Sequence, residues 1–130
     1  MDAVTPKHAL TADEHSHVVK PADMEWKSTR FPGCQVKTLF MDPKTGVMTA
    51  LMKFAPGAVL PDHEHVRIEQ TYVLEGSLVD DEGECTAGNF VIRAKGSRHS
   101  PVAPNGCTML VFFLKLSALA MWTEMEVMKS

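Results

Sequence analysis

Two histidines separated by one residue, His63 and His65, are followed four residues later by a carboxylate, Glu69. A third histidine, His99, ends the stretch GNFVIRAKGSRH that begins at Gly88. Imidazole nitrogen and carboxylate oxygen are the atoms by which proteins hold zinc, iron, manganese and nickel. On an extended strand residues i and i+2 face the same way, about 7 Å apart along the backbone. His63 and His65 would therefore present two imidazoles side by side, suited to adjacent coordination positions with bonds of roughly 2.0–2.2 Å. Glu69 keeps the same parity past a bend, and its longer side chain can reach back. His99, from a separate hairpin, is expected to close the site from the opposite wall. Glu64 faces the other way. The expected ligand set is His63, His65, Glu69 and His99 around one divalent ion, with Glu69 the one residue that could also leave the metal and take a proton.

Three nitrogens and a carboxylate on zinc make a closed tetrahedral site, of a structural or sensory kind. The same ligands on iron(II), manganese or nickel leave positions open for water, oxygen or substrate. Iron or zinc is expected first, with manganese and nickel as further candidates. Imidazole suits several of these ions and does not choose among them.

The elements that must position these residues read as strands. Cys34 to Met41 and Val47 to Phe54 flank the turn chemistry of Asp42-Pro43-Lys44-Thr45-Gly46, which predicts a hairpin. Ala58 to His65 is short and extended, and Gln70 to Leu74 returns as a strand. Glu75-Gly76 and Asp80 to Gly83 are expected turns, Phe90 to Arg93 a strand, and Lys95-Gly96 a turn before His99. Pro101, Pro104, Asn105 and Gly106 mark a loop, and Thr108 to Leu116 a buried strand. Short, evenly spaced strands with Gly and Pro punctuation predict an all-β barrel or sandwich. Met52, Phe54, Tyr72, Phe112 and Phe113 are expected mainly as core. The organisation expected is an N-terminal arm over residues 1–22, a barrel over 23–116 and a C-terminal tail over 117–130. In that tail Ala118, Met121, Trp122, Met125 and Met128 recur at helical spacing, which predicts a short helix packed on the barrel or a Met-rich contact between copies. His8, His15 and His17 lie in the arm, where a solvated segment is expected.

With 130 residues the chain is one domain, and a net charge of −3 gives no footprint for nucleic acid. Three well-separated cysteines, Cys34, Cys85 and Cys107, argue for reduced thiols in a cytoplasmic protein rather than a disulfide framework. The most apolar run, Met109 to Leu119, is interrupted by Lys115 and too short to span a bilayer, so no membrane association is expected.

From Gly57 to Gly76 the fixed positions read G-x5-H-x-H-x3-E-x6-G, which resembles the first motif of the cupin superfamily. Gly88, Gly96 and His99 stand at the spacings of the second motif, with Ala94 and Ala103 where proline and asparagine are usual. The wider wording, PGA before HEH, YVLEG after it and KGSRHSPVAPNGC later, is similar to ChrR-type anti-sigma cupin domains and their free-standing relatives. The resemblance covers about residues 35 to 115. It implies a double-stranded β-helix, the cupin jelly roll, with a metal at the open end. It also implies an activity like that of relatives that are dioxygenases of the acetylacetone or dihydroxyacetophenone type. Acetylacetone-cleaving relatives use three histidines, and Glu69 departs from that set. The expected function is thus a mononuclear, dioxygenase-like metal enzyme acting on a small diketone or hydroxyketone. The alternative is a non-catalytic, zinc-binding ChrR-like sensing or ligand-binding module. ChrR proteins also carry an N-terminal zinc-binding helical domain, for which this chain is too short, so a sigma-binding role is not expected. A homodimer is expected, since cupins are commonly dimers.

Overall fold

The computed structural model describes residues 16–65 and 68–114. Apart from a single 3-10 turn at Pro21–Asp23, every regular element there is a strand. In chain order these are β1 (Lys27–Ser28), β2 (Cys34–Met41), β3 (Met48–Phe54), β4 (Ala58–Val59), β5 (His63–Glu64), β6 (Glu69–Asp80), β7 (Gly83–Thr86), β8 (Phe90–Arg93), β9 (Arg98–His99), β10 (Val102–Ala103) and β11 (Cys107–Phe113). The fold is all-β, as expected. The C-terminal helix expected over 117–130, and His8 and His15 of the arm, lie outside the described residues; His17 is exposed.

Strands β1, β2, β3, β11 and β6 run side by side, and the order continues through β10 to β4. β7 and β8 also pair with β6, and β5 pairs with β9 as a separate ribbon. The predicted hairpin joins β2 to β3. Asp42 builds its turn, accepting the Lys44 N–H on Oδ1 and the Thr45 hydroxyl on Oδ2, both at 3.0 Å. Strict alternation in β3 and β11 then sends one face inward. Met48, Met52, Val111 and Phe113 are among the largest fully buried side chains, joined by Val73 from β6. This is the period-2 pattern of a sheet packed on a core. Tyr72 and Phe112 sit on the other face of their strands, not in the core expected for them; Tyr72 is exposed and Phe112 half-buried. No helix among the described residues is long and apolar enough to cross a membrane.

β6 corrects one expected turn. The chain does not reverse at Glu75-Gly76 but runs on as a single strand of 12 residues. Its first half pairs with β11 and β8, and its second half with β7 and β10. Between them the β11 register slips at Thr108/Met109, where one extra residue of β6 is accommodated. A bulge of this kind bends a strand and raises its twist, and here it carries β6 from one wall to the next. Gly76 makes it possible. Its φ is +76°, and a Cβ there would overlap the carbonyl oxygen of Gly106. The Ser77 N–H donates to that same oxygen at 3.2 Å. A glycine that signals a turn to a sequence reader can equally signal a bend within a strand.

Gly76→Ala should therefore destabilise the protein by ~2–5 kcal/mol, combining the left-handed backbone penalty with overpacking. Equilibrium denaturation in urea measures this, and a loss inside the range of ordinary surface substitutions would show that the crossing at Gly106 is loose.

Candidate metal centre

The site is built on the short ribbon of β5 and β9. Their antiparallel register sets His63 directly opposite His99 and Glu64 opposite Arg98. Beyond the last paired residue the ribbon is held by His65 N–H donating to Ser97 O at 2.8 Å and Gly96 N–H donating to His65 O at 2.6 Å. On the outer face Arg98 donates to Asp62 at 2.7 Å and lies 3.6 Å from Glu64. Both charges are well exposed there, so this pairing adds little stability. It does agree with the parity that turned Glu64 away from the site, and it places Arg98 on the same outer face. His99 is therefore a neighbour of His63 on the same ribbon, which corrects the expectation of an opposite wall. Ribbon twist and pairing bring the rings together, with centroids 4.6–4.8 Å apart.

The imidazole Nε2 of His99 lies 2.8 Å from that of His65 and 3.1 Å from that of His63. Ligand atoms of all three rings fall within 4.8 Å of one another. Two nitrogens held at right angles by bonds of about 2.1 Å are about 3.0 Å apart, against about 3.4 Å at a tetrahedral angle. Both short separations match the right-angle corner.

The opposite ring nitrogens settle the protonation. His63 Nδ1 is 2.9 Å from the Pro61 carbonyl oxygen, and His99 Nδ1 is 2.9 Å from Asp80 Oδ2. Each oxygen only accepts, so each Nδ1 carries the proton and a neutral ring leaves a lone pair on Nε2. Burial favours the neutral form. It lowers the pKa of His65 to about 3, helped by the neighbouring His99 and His63. It also lowers His63 and His99, and Arg93 adds to the effect on both. The Nε2 lone pairs of His63 and His99 then face each other with no proton between them. A cation is the partner such a pair lacks, so the donor set fits a divalent metal.

Glu69 opens β6 and is buried, but its carboxylate stands on the far side of His65, with Oε2 3.9 Å from His65 Nδ1. That is an ion-pair distance and too long for a hydrogen bond. Burial pushes the Glu69 carboxyl up to about 7, against the opposing pull of Arg93 and a hydrogen bond with Thr71. The structure thus gathers the three expected histidines and sets Glu69 beside them. A cavity of about 20 Å³ adjoins them, with His63, His99, Glu69 and Thr71 at its polar end and Met52 and Met109 on its apolar wall. It has room for about one water-sized group.

Two residues of the site were not anticipated. Asp80, at the end of β6, touches His99 as above, and Arg93 of β8 lies 2.8 Å from the same Asp80 Oδ2. Burial raises the Asp80 pKa, but hydrogen bonding with His99 and the Glu82 N–H, with Arg93 nearby, outweighs it and the net shift is downward. In the sequence Asp80 reads only as the first residue of the D-D-E-G turn, and nothing in the spacing ties it to a histidine 19 positions on. All three cysteines are buried. Burial raises the thiols of Cys34 and Cys107 to about 11, which keeps them protonated and unreactive.

The sequence profile described as the ChrR cupin-like domain matches residues 14–117, most of the chain. The anti-sigma-E factor ChrR of Cereibacter sphaeroides is 32% identical over 85 residues, covering 65% of this chain and 38% of that protein. The chain thus spans well under half the length of this relative. The structure of Rhodobacter sphaeroides SigE in complex with the anti-sigma ChrR is similar at a TM-score of 0.62 and 27% identity, covering 72% of this chain and 51% of that one. An acetylacetone dioxygenase from Acinetobacter johnsonii is similar at a TM-score of 0.72 and 18% identity, covering 82% of this chain and 78% of that one. The last likeness is one of fold.

Glu69 gives the metal-free protein a testable pH dependence. Its folded pKa of about 7 lies above the ordinary 4.5, so the folded state keeps a proton that the unfolded chain has released. Its contribution to stability therefore falls as pH rises between those two values. His65 acts oppositely, adding stability as pH rises from about 3 to 6.5. Glu69→Gln should remove the first effect alone. The stability of the variant relative to the parent should then rise by on the order of 3 kcal/mol between pH 4.5 and pH 8. Urea titrations of both proteins in chelator across that range measure it, and parallel curves would count against a protonated Glu69.

Proposed function

The chain belongs to the ChrR cupin-like domain family, and on that premise we propose that it binds one divalent transition-metal ion through His63, His65 and His99, with Glu69 as a fourth, exchangeable ligand or proton acceptor. The observation that carries this is the convergence of neutral imidazoles, with His99 Nε2 lying 2.8 Å from His65 Nε2 and 3.1 Å from His63 Nε2, and with no proton between the lone pairs of His63 and His99. Near-right-angle spacing supports an ion with coordination positions to spare. We assign to it a dioxygenase-like activity on a small diketone or hydroxyketone. Bound there, a Lewis-acidic ion would polarise a carbonyl oxygen of such a molecule. The chain's own residues supply the rest. His63, the least buried of the three histidines, marks the side from which a small molecule can approach. The apolar wall of Met52 and Met109 excludes bulk water. Glu69, with a pKa near neutrality, is fitted to accept a proton from the carbon beside a carbonyl at working pH.

A second reading is supported by the ChrR likeness. Here zinc takes Glu69 as well as the three histidines, and the barrel serves as a non-catalytic module that recognises a ligand or a protein. The narrow cavity of about 20 Å³ favours it. Cytoplasmic residence fits the buried, protonated thiols in either case. A homodimer is supported by the apolar outer face formed by Tyr72, Leu74, Phe90 and Ile92, each well exposed in the single chain.

Elemental analysis of protein purified without oxygen or added metal separates the two readings. Near-stoichiometric iron, followed by oxygen uptake with diketones or hydroxyketones, is the expected result for the enzyme. Near-stoichiometric zinc that resists chelators, with no turnover, would replace it by the module. In either case His63→Ala should abolish stoichiometric binding and lower the melting temperature of the metal-loaded protein, because metal binding is linked to folding. Retention of one ion per chain by that variant would remove His63 from the site. For the dimer, light scattering should give twice the 14.3 kDa chain mass, falling toward one chain in Ile92→Glu; a monomeric parent would rule the dimer out.

A further inference from the structure

The Asp80–Arg93 pair invites a question that folding alone does not answer. Both side chains are almost fully buried, Asp80 at 2% and Arg93 at 7% exposure, and the second carboxylate near Arg93, Glu82, is exposed and 3.6 Å away. A buried ion pair gives little net stability, because desolvation offsets most of the attraction. The turn after β6 uses only one of the Asp80 oxygens: Oδ1 accepts the Glu82 N–H at 2.9 Å. Oδ2 is the oxygen shared by Arg93, at 2.8 Å, and His99 Nδ1, at 2.9 Å. Arg93 thus anchors Oδ2 against the one ring nitrogen of His99 that faces away from the three-histidine focus. The other two histidines have weaker arrangements. His63 donates to a backbone carbonyl, and His65 Nδ1 has a carboxylate at 3.9 Å.

We propose that Asp80, clamped by Arg93, is a positioning residue for His99: it holds the ring in the tautomer with the proton on Nδ1, so that the Nε2 lone pair is aimed at the metal position before any ion arrives. The proposal rests on the three-histidine site put forward above. A carboxylate on the outer nitrogen of a ligand histidine fixes its orientation and makes it a better donor, and loss of such a partner lowers metal affinity by roughly 10–100-fold. Asp80 itself has no free oxygen for the ion, so its contribution runs through His99.

Two measurements test it. In metal-free, 15N-histidine-labelled protein of unaltered sequence, the long-range 1H–15N spectrum of His99 should show the proton on Nδ1. In Asp80→Asn, which keeps the size of the side chain but removes the charge, the second tautomer should appear. Zinc affinity by competition with a chromophoric chelator should then fall by roughly 10–100-fold, while circular dichroism of the metal-free protein stays unchanged. A purely structural ion pair would lower the melting temperature without moving the tautomer. A proton on Nε2 of His99 in the unaltered protein overturns the proposal whatever the variant does, and so does equal zinc affinity in a folded Asp80→Asn. His99→Ala distinguishes the site from the device. If that variant keeps stoichiometric zinc, the metal site is misassigned; if it loses zinc while Asp80→Asn binds normally, the site stands and the positioning role fails.

Discussion

Neutral imidazoles with lone pairs turned toward one another repel, and the barrel holds two of them, His63 and His99, in that arrangement. The Nε2 atoms of His63 and His99 are 3.1 Å apart with no proton between them, because each ring spends its proton on an outer acceptor. Buried polar atoms left without a partner cost free energy. Everything around the site makes sense as a means of imposing that cost and relieving it with a cation. Burial keeps the rings uncharged, the β5–β9 register keeps His63 against His99, and Arg93 places a fixed positive charge nearby that disfavours protonation of all three.

The scaffold bears this load through β6. One strand supplies Glu69 at its start, Val73 to the core at its middle, and Asp80 at its end. Because the bulge opposite Thr108/Met109, close to Gly76, bends it without ending it, residues 11 positions apart on one strand can both come within reach of the same cluster. Two ordinary strands joined by a turn would have separated Glu69 from Asp80 by a connection free to move. Met48 and Met52 of β3 and Met109 of β11 share one buried cluster with Val73 of β6, and unbranched thioether side chains fill irregular space well.

The sequence carried the all-β class, the β2–β3 hairpin and the three histidines, for a physical reason. Period-2 alternation, turn chemistry and the H-x-H spacing are local signals, read within a few residues. What it did not carry depends on pairing. That His99 sits beside His63 follows from a register between strands 36 residues apart, which local pattern does not encode. That Gly76 bends a strand follows from the approach of Gly106, a neighbour supplied by β11's entry. Tyr72 and Phe112 looked like core residues because apolar type alone does not say which face of a strand they occupy; their partners in the register do. Asp80 was hidden for the same reason, since an aspartate at a turn has a sufficient local explanation.

Glu69 is where the two functional readings part, and the physics of the choice is specific. As it stands the carboxyl is about half protonated near pH 7, hydrogen-bonded with Thr71 and set toward His65 Nδ1 rather than toward the Nε2 focus. To become a ligand it must lose its proton, give up Thr71 and swing around the ring of His65. An ion that binds carboxylate strongly and prefers four ligands can repay that change, and the site then closes. An ion content with three imidazoles and water leaves Glu69 protonatable beside an open position. On the two proposed readings the same residue would serve as lid of a closed centre or as base of an open one, according to whether its attraction to the ion exceeds the combined cost of ionising it in an apolar cavity and breaking its bond with Thr71.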